Sequence, residues 1–325
     1  MILNKYMLKC HIVVFCSKRR ELIDMKILEV KGISKSIDDN IIYSDININI
    51  NKGDCYAILG EDNEGKSSIL SAILGMGDVD EGNISLFGEK VEHGNSKQFI
   101  NNIGYVPDDL ICFEGMTGAE FLDMTMKLRK LDDAVEYAET LIDFFEVNPC
   151  LKLEHMDEDM NKRFYIISAF ISQPEIIIMD EPFNFLNENG KKHLEKLIKI
   201  YNDFGYTVLL TGNSYDLVKD LCNRVSVIKD RRQIYTDVET DDFEDVKIIK
   251  VYNLLDYEEL LLYAKNLNCS LDILKNEGDE TVIRFEGELS GLKNILLQLN
   301  CDDFEVKNIT SEEQLLNKDE WLEEI

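Results

Sequence analysis

The sequence has few of the residues that metal sites and disulfide frameworks require. Its eight cysteines are scattered without a CxxC pair, and only four histidines occur among 325 residues. Disulfide scaffolds and zinc sites space these residues in recognisable patterns. The sequence therefore argues against a disulfide framework and against a zinc site, and it favours small buried thiols in a reducing compartment.

Long apolar runs are also missing. No run reaches the roughly 18–20 residues that cross a bilayer. The mildly apolar segment 8–16 lacks a small-residue cleavage site and precedes Lys18-Arg19-Arg20, so it does not resemble a signal peptide. We expect residues 1–24 to be a non-native or disordered extension and the working protein to start at Met25. A native N-terminus at Met1, found by mass spectrometry, would contradict this.

Positive charge is scarce as well. The chain has 35 basic against 63 acidic residues, a formal net charge of −28. This balance argues against non-specific nucleic-acid binding and against a polybasic membrane patch. It is compatible with a soluble protein that docks onto basic loops of a protein partner. An apolar content of 45% is enough for a real core, and the length suggests one large domain and a smaller one.

The chain has two consecutive regions with different patterns of predicted secondary structure. Over 25–238, short β-branched runs alternate with helical patterns, which indicates an α/β fold with a mostly parallel sheet. A helical stretch is predicted over 118–145. Over 239–325, an acidic linker precedes a β-α-β-β-α-β order, which predicts a small α+β, ferredoxin-like domain. Strands are predicted at 26–30, 56–59, 83–87, 103–106, 176–179, 208–211, 225–228, 247–251, 270–275, 281–285 and 304–309, and later helices at 256–268, 290–300 and 312–324.

The motif G-x-x-x-x-G-K-[ST] supplies the sharpest functional signal. It lies between a predicted strand and an apolar helix. Its glycines allow backbone N–H groups to wrap phosphates, and the helix N-terminus adds positive charge. Lys66 is expected to reach the β- and γ-phosphates and Ser67 to ligate Mg²⁺. A ligand-free glycine-rich turn is the alternative. The predicted binding residues are Gly60, Glu61, Asp62, Asn63, Glu64, Gly65, Lys66, Ser67 and Ser68.

Two adjacent carboxylates follow the apolar strand 176–179. Asp180 and Glu181 would lie at the C-terminal edge of this strand, which fits a Walker B element. Asp180 is expected to hold Mg²⁺, directly or through water, and Glu181 to polarise the attacking water as general base. Together the two motifs predict a site that binds a nucleotide's phosphates with Mg²⁺ and hydrolyses them.

With these motifs, 25–236 resembles an ABC transporter nucleotide-binding domain along its whole length. Gly53-Asp54 resembles the family's K-G-E entry to the phosphate loop, and 80–84 resembles its S-G-x-I turn. The segment 103–107 resembles the family's I-G-Y-V-P strand, and 221–225 resembles its L-C-D-R-V run. The resemblance implies a P-loop NTPase fold with a helical insert at about 108–172, and ATP and Mg²⁺ as cofactors. It also implies a membrane permease, docked at about 108–131, and a second ATP-binding subunit. The location would be the cytoplasmic face of the membrane. A weaker likeness of 239–325 to an accessory domain of drug-export ATPases implies export.

Several positions depart from the family pattern. Asp108 replaces the Gln that contacts Mg²⁺, although a carboxylate also suits that ion. Asn213 replaces the switch histidine and keeps only a hydrogen bond to phosphate. Asn187 replaces the D-loop aspartate, and Ile37 falls near the base-stacking aromatic, with Tyr43 nearby but unplaced.

The signature L-S-G-G-M/Q-x-Q-R aligns on 156–163, where Asp157, Glu158 and Asp159 replace Ser-Gly-Gly. Like charges about 5 Å apart repel by roughly 3 kcal/mol at a dielectric constant near 20, more than the ~1 kcal/mol of a cap or dipole. Whether this acidic run prevents ATP from being held between two subunits, or is only a solvated face, stays open. So do two functions: a slow ATPase subunit, or a non-catalytic subunit beside a conventional ATPase.

Overall fold

The protein is described by a computed structural model that covers residues 26–38, 40–99, 101–111, 113–131, 133–239, 246–252, 260, 270–277, 280–286 and 304–309. The chain forms two compact units, Met1–Val238 and Glu239–Ile325. The predicted extension 1–24 lies outside the described residues.

The first unit is built on a ten-stranded sheet in the order β5-β4-β1-β2-β10-β9-β3-β8-β7-β6. Neighbours among β3, β6, β7, β8 and β9 run parallel, whereas β1 pairs antiparallel with β2 and β4. The strands are β1 Lys26–Ile37, β2 Asn40–Asn51, β3 Cys55–Leu59, β4 Glu81–Leu86, β5 Glu89–Lys90, β6 Ile103–Val106, β7 Ile176–Met179, β8 Thr207–Gly212, β9 Arg224–Lys229 and β10 Arg232–Glu239.

Burial explains which strands the sequence predicted well. Every residue of β3, β7 and β8 is buried, as parallel strands covered on both faces require, and these strands read as continuous apolar runs. β2 is not among the strands predicted from the sequence, although Ile46, Ile48 and Ile50 are buried on one face. Its other face carries partly exposed asparagines that alternate with these isoleucines, the pattern of a half-buried strand.

Five helices occur among the described residues of the first unit, namely α1 Lys66–Ile73, α2 Gly118–Arg129, α3 Val135–Phe145, α4 Glu158–Phe170 and α5 Glu188–Asp203, with 3₁₀ turns at Ser96–Gln98 and Leu153–His155. The predicted single helical stretch 118–145 was wrong, because α2 ends at Arg129 and is capped by Lys130. That residue takes a left-handed conformation, φ 57°, and its N–H bonds back to the last turn of α2. None of the helices in the described part of the chain combines the length and apolarity needed to cross a bilayer.

The second unit contains a four-stranded antiparallel sheet in the order β12-β13-β11-β14. β13 lies between β11 and β12, the arrangement of a split βαβ unit. Its strands are β11 Val246–Tyr252, β12 Ser270–Glu277, β13 Glu280–Glu286 and β14 Phe304–Ile309. The predicted helices at 256–268, 290–300 and 312–324 lie outside the described residues, apart from the buried Leu260.

Candidate functional site

The phosphate-type loop connects β3 to α1 and depends on its two glycines. The Gly60 N–H donates to the carbonyl of Gly212 at 3.1 Å, which ties the loop to the end of β8. A Cβ at Gly60 would lie 2.7 Å from the Ile228 carbonyl oxygen. Gly65 has φ 87°, and a Cβ there would overlap the carbonyl of Ile42. The backbone path therefore requires glycine at both positions.

Lys66 begins α1 and points into the loop. It is 5% exposed. Its Nζ donates to the carbonyl oxygens of Gly60 at 2.6 Å and Glu61 at 2.8 Å. Ser67 and Ser68 are exposed in the first helical turn, where backbone N–H groups have no partner within the helix. The Gly65 cap supplies no side-chain hydrogen bond to this helix N-terminus. Ammonium, hydroxyls and backbone donors thus converge where an anion would bind.

Asp180 and Glu181 directly follow β7, and Glu181 reaches this loop through Lys66. Asp180 is 4% exposed, and one of its oxygens accepts from the Thr211 hydroxyl at 2.7 Å. Glu181 Oε1 lies 3.0 Å from Lys66 Nζ. The Glu181 N–H also donates to the Thr211 hydroxyl, at 2.9 Å. Thr211 went unnoticed in the sequence, where its only signal is a polar residue at the end of the apolar strand β8.

Burial and crowded carboxylates set the electrostatics of the site. Burial raises the pKa of Glu181, the ion pair with Lys66 lowers it, and the charges of Asp180 and Asp108 raise it further. Burial, together with these neighbouring aspartates and Asp109, raises the pKa of Tyr105 to about 12. A carboxyl group with a raised pKa in a cleft has the proton affinity that a general base needs.

Asp108 is brought close to this region and held by two side chains. Asn184 Nδ2 donates to Asp108 Oδ1 at 3.1 Å, and Lys162 Nζ lies 4.0 Å from the same oxygen. Lys162 comes from α4 and donates to the Pro107 carbonyl at 2.8 Å. The sequence had marked Asp108 as a metal ligand but singled out neither Lys162 nor Asn184, because both lie far from it along the chain.

The remaining predicted binding residues border the loop. Glu61, Asp62, Asn63 and Asn213 are exposed, and Asn213 directly follows the Gly212 that bonds to the loop. Glu64 accepts a hydrogen bond from the backbone N–H of Arg231. The loop therefore carries three acidic side chains of its own, one of them engaged with the β9–β10 turn.

The described residues of the β1–β2 turn offer no aromatic side chain for stacking. Ile37 is 56% exposed at the end of β1. Tyr43 is 1% exposed in the core, and burial raises its pKa to about 12. A base bound near this turn would meet aliphatic side chains.

The acidic signature segment is folded back onto its own chain. Asp157 caps α4 and accepts from the Met160 N–H at 2.8 Å. Asp159 Oδ2 lies 2.8 Å from Arg163 Nη2, and Asp159 accepts from the N–H and Nδ2 of Asn187 at 2.9 and 3.0 Å. Asn187 in turn caps α5 and accepts from Arg163. Internal pairing of Asp159 removes much of the like-charge repulsion expected from the sequence.

The donor set fits a triphosphate with Mg²⁺ better than a metal held by protein alone. Among the described residues, no three His, Cys, Asp or Glu side chains form a metal cluster. Mg²⁺ commonly binds one or two carboxylates together with substrate phosphates and water. The free oxygen of Asp180 and the exposed Ser67 hydroxyl suit that role.

Known proteins share this architecture. The ABC transporter family matches residues 43–184. The linearmycin resistance ATP-binding protein LnrL of Bacillus subtilis (strain 168) is 28% identical over 220 residues, 66% of this chain and 70% of that protein. The Nod factor export ATP-binding protein I of Sinorhizobium fredii (strain NBRC 101917 / NGR234) is 27% identical over 214 residues, 64% of this chain and 61% of that protein. The dimeric cassette MJ0796, bound to ADP and Pi, has the same fold, with a TM-score of 0.59 at 19% identity over 67% of this chain and all of that one.

Proposed function

We propose that the chain contains a nucleotide-binding domain of the ABC transporter family, whose model matches residues 43–184, and that it binds Mg-ATP and hydrolyses it slowly to drive or gate export. The observation that carries the proposal is the convergence of Lys66 and Glu181, 3.0 Å apart at the phosphate loop. This distance supports a joint role for Lys66 as phosphate-binding cation and Glu181 as general base.

Each residue of the site has a distinct role in this proposal. Lys66, Ser67 and the N-terminus of α1 bind the phosphates, and Lys66 exchanges its bonds to loop carbonyls for phosphate oxygens. Asp180 and Ser67, with Asp108 nearby, hold the metal ion, which supplies positive charge against the phosphates. Glu181 orients the attacking water and accepts its proton. Asn213 donates a hydrogen bond to phosphate.

Measurements of ATP binding and of ATP hydrolysis in single variants distinguish these roles. We expect Lys66→Ala to abolish ATP binding measured by calorimetry, whereas Lys192→Ala, an exposed lysine on α5, leaves it unchanged. Glu181→Gln is expected to retain or tighten ATP binding, because it removes the partner that competes for Lys66, and to abolish hydrolysis. ATP binding by Lys66→Ala that equals the wild type would refute the site.

The partners follow from the family. We propose a membrane permease docked at residues 108–131, a second ATP-binding subunit, and a location on the cytoplasmic face of the membrane. Ile111 and Leu128 are 67% and 75% exposed in the docking segment, which suits burial against a partner. Co-purification of the permease should fail after charge reversal in 108–131. Export is supported by the name of one relative, the Nod factor export ATP-binding protein I, and uptake of substrate into inside-out vesicles on addition of ATP would demonstrate it.

A non-catalytic role is the second candidate, and the signature segment favours it. The N-terminus of α4 is occupied by Asp157, and Asp159 is bound to Asn187 and Arg163. A partner's phosphate would meet carboxylates there rather than free N–H donors. Under this alternative the chain pairs with a conventional ATPase and contributes one composite site. Turnover by the purified chain alone, lost in Glu181→Gln, would exclude it.

A further inference from the structure

Lys162 is a buried cation that the proposed chemistry does not use. Its side chain is 0% exposed, within the first two turns of α4. One bond goes to the Pro107 carbonyl, and the ring of Phe185 lies 5.9 Å away. An ammonium group loses its hydration on burial, which is costly unless negative charge compensates. Negative charge near Lys162 would offset part of this cost.

That negative charge comes from the site itself. Asp108 Oδ1 lies 4.0 Å from the ammonium. Burial lowers the pKa of Lys162, and the charges of its acidic neighbours raise it. The net result is a pKa of about 8; the neighbours are Asp108, Asp180, Glu181 and Asp109. The ammonium thus lies within electrostatic reach of the proposed metal ligands and of the proposed general base.

The two charges at positions 108 and 162 occur together. In the family pattern aligned on this chain, both positions hold a neutral glutamine, at the Q-loop and near the end of the signature. Here Asp108 adds a negative charge and Lys162 adds a positive charge 4.0 Å from it. The pair keeps the net charge of the site close to that of two amides.

We propose that Lys162 is a built-in cation of the nucleotide site, which neutralises part of the charge of Asp108, Asp180 and Glu181. A triphosphate without a bound metal is then repelled less by these carboxylates. The inference rests on the proposed nucleotide binding and extends its ligands to the unchelated nucleoside triphosphate. Lys162 acts through the carboxylates and is a positioning residue.

The first test compares ATP affinity with excess Mg²⁺ and with EDTA. Lys162→Met is similar in length and uncharged, and we expect it to increase the ratio of the two dissociation constants, EDTA over Mg²⁺, about tenfold. Adding Asp108→Asn is expected to restore the wild-type ratio, and Lys162→Arg to preserve it. Lys152→Met, which removes a lysine with a 48% exposed side chain, serves as the matched control. An unchanged ratio in Lys162→Met, or an equal rise in Lys152→Met, would overturn the inference.

The second test needs no nucleotide. Binding of Mn²⁺ alone, followed by electron paramagnetic resonance, should be about tenfold tighter in Lys162→Met, because the carboxylates lose their internal cation. The double variant with Asp108→Asn should lose this gain, and thermal unfolding confirms that each variant is folded. Equal Mn²⁺ binding by wild type and Lys162→Met, including none by either, overturns the inference. Absence of ATP binding with tighter Mn²⁺ binding in Lys162→Met defeats the proposed function instead.

Discussion

The functional side chains of the phosphate loop are engaged with one another. Lys66 donates to two loop carbonyls and pairs with Glu181, so a nucleotide must replace these contacts when it binds. Glu181 has φ 39°, an uncommon left-handed conformation, and Thr211 holds its N–H. The strain and the ion pair fix the carboxylate beside the position expected for the terminal phosphate.

The backbone at Gly65 yields a prediction at the scale of one residue. We expect Gly65→Ala to lower the free energy of unfolding by about 3 kcal/mol, because it adds both a strained φ and an overlap with the Ile42 carbonyl. Gly88 also has a positive φ, but a Cβ added there would meet no described atom within 4 Å. Gly88→Ala should therefore cost only about 1 kcal/mol in urea denaturation. Equal costs would show that the Ile42 contact is unimportant.

At the scale of elements, Asn187 connects α4 to α5. Its side chain accepts from the N–H groups of Asn189 and Gly190 and binds both Arg163 and Asp159. We expect Asn187→Ala to destabilise the protein by about 3 kcal/mol, since it removes a helix cap and leaves a buried ion pair short of partners. Asp157→Ala removes a cap alone and should cost about 1 kcal/mol. Chemical denaturation distinguishes the two, and equal losses would contradict a role for the cluster.

The contact between α3 and α5 predicts a dependence on pH. His193 packs on Phe144 and Phe145, with ring centroids 5.2 and 5.9 Å away, and burial lowers its pKa. The imidazole of His193 therefore binds a proton more tightly in the unfolded chain than in the folded one. The stability contributed by neutral His193 is complete above pH ~6.5 and falls as the pH decreases below it. The loss should stay below about 1 kcal/mol because the side chain is only half-buried. His193→Leu should lack this component when unfolding is followed from pH 7.5 to 5, and an unchanged pH dependence would refute it.

At the scale of the whole molecule, the described site residues all belong to the first compact unit. A unit with its own sheet and core is expected to fold by itself. We therefore expect a chain truncated after Glu239 to unfold in one cooperative transition and to bind ATP as the full chain does. Thermal unfolding and calorimetry measure both. Loss of the cooperative transition would show that residues 240–325 are needed for folding.

Much of this organisation was predictable because it depends on near neighbours in the chain. The loop 60–68 and the Asp180-Glu181 pair each follow a recognisable apolar strand in the sequence. Their residue types and this neighbouring strand together predict where they lie in the fold. The buried strands β3, β6, β7 and β8 were found for the same reason. The break at Lys130 is not predicted, because no glycine or proline marks the left-handed conformation that ends α2.

By itself the sequence determined the fold family, the phosphate loop and the two carboxylates beside it, since these depend on local patterns. The tertiary structure decided which charges meet. Lys162 faces Asp108, Asp159 pairs with Arg163 and Asn187, and Lys66 meets Glu181. Except for Asp159 and Arg163, these partners lie on different elements, and only packing brings them within the few ångströms at which charges dominate one another. The sequence alone predicts mutual repulsion among Asp157, Glu158 and Asp159, but in the fold the charge of Asp159 is neutralised by Arg163.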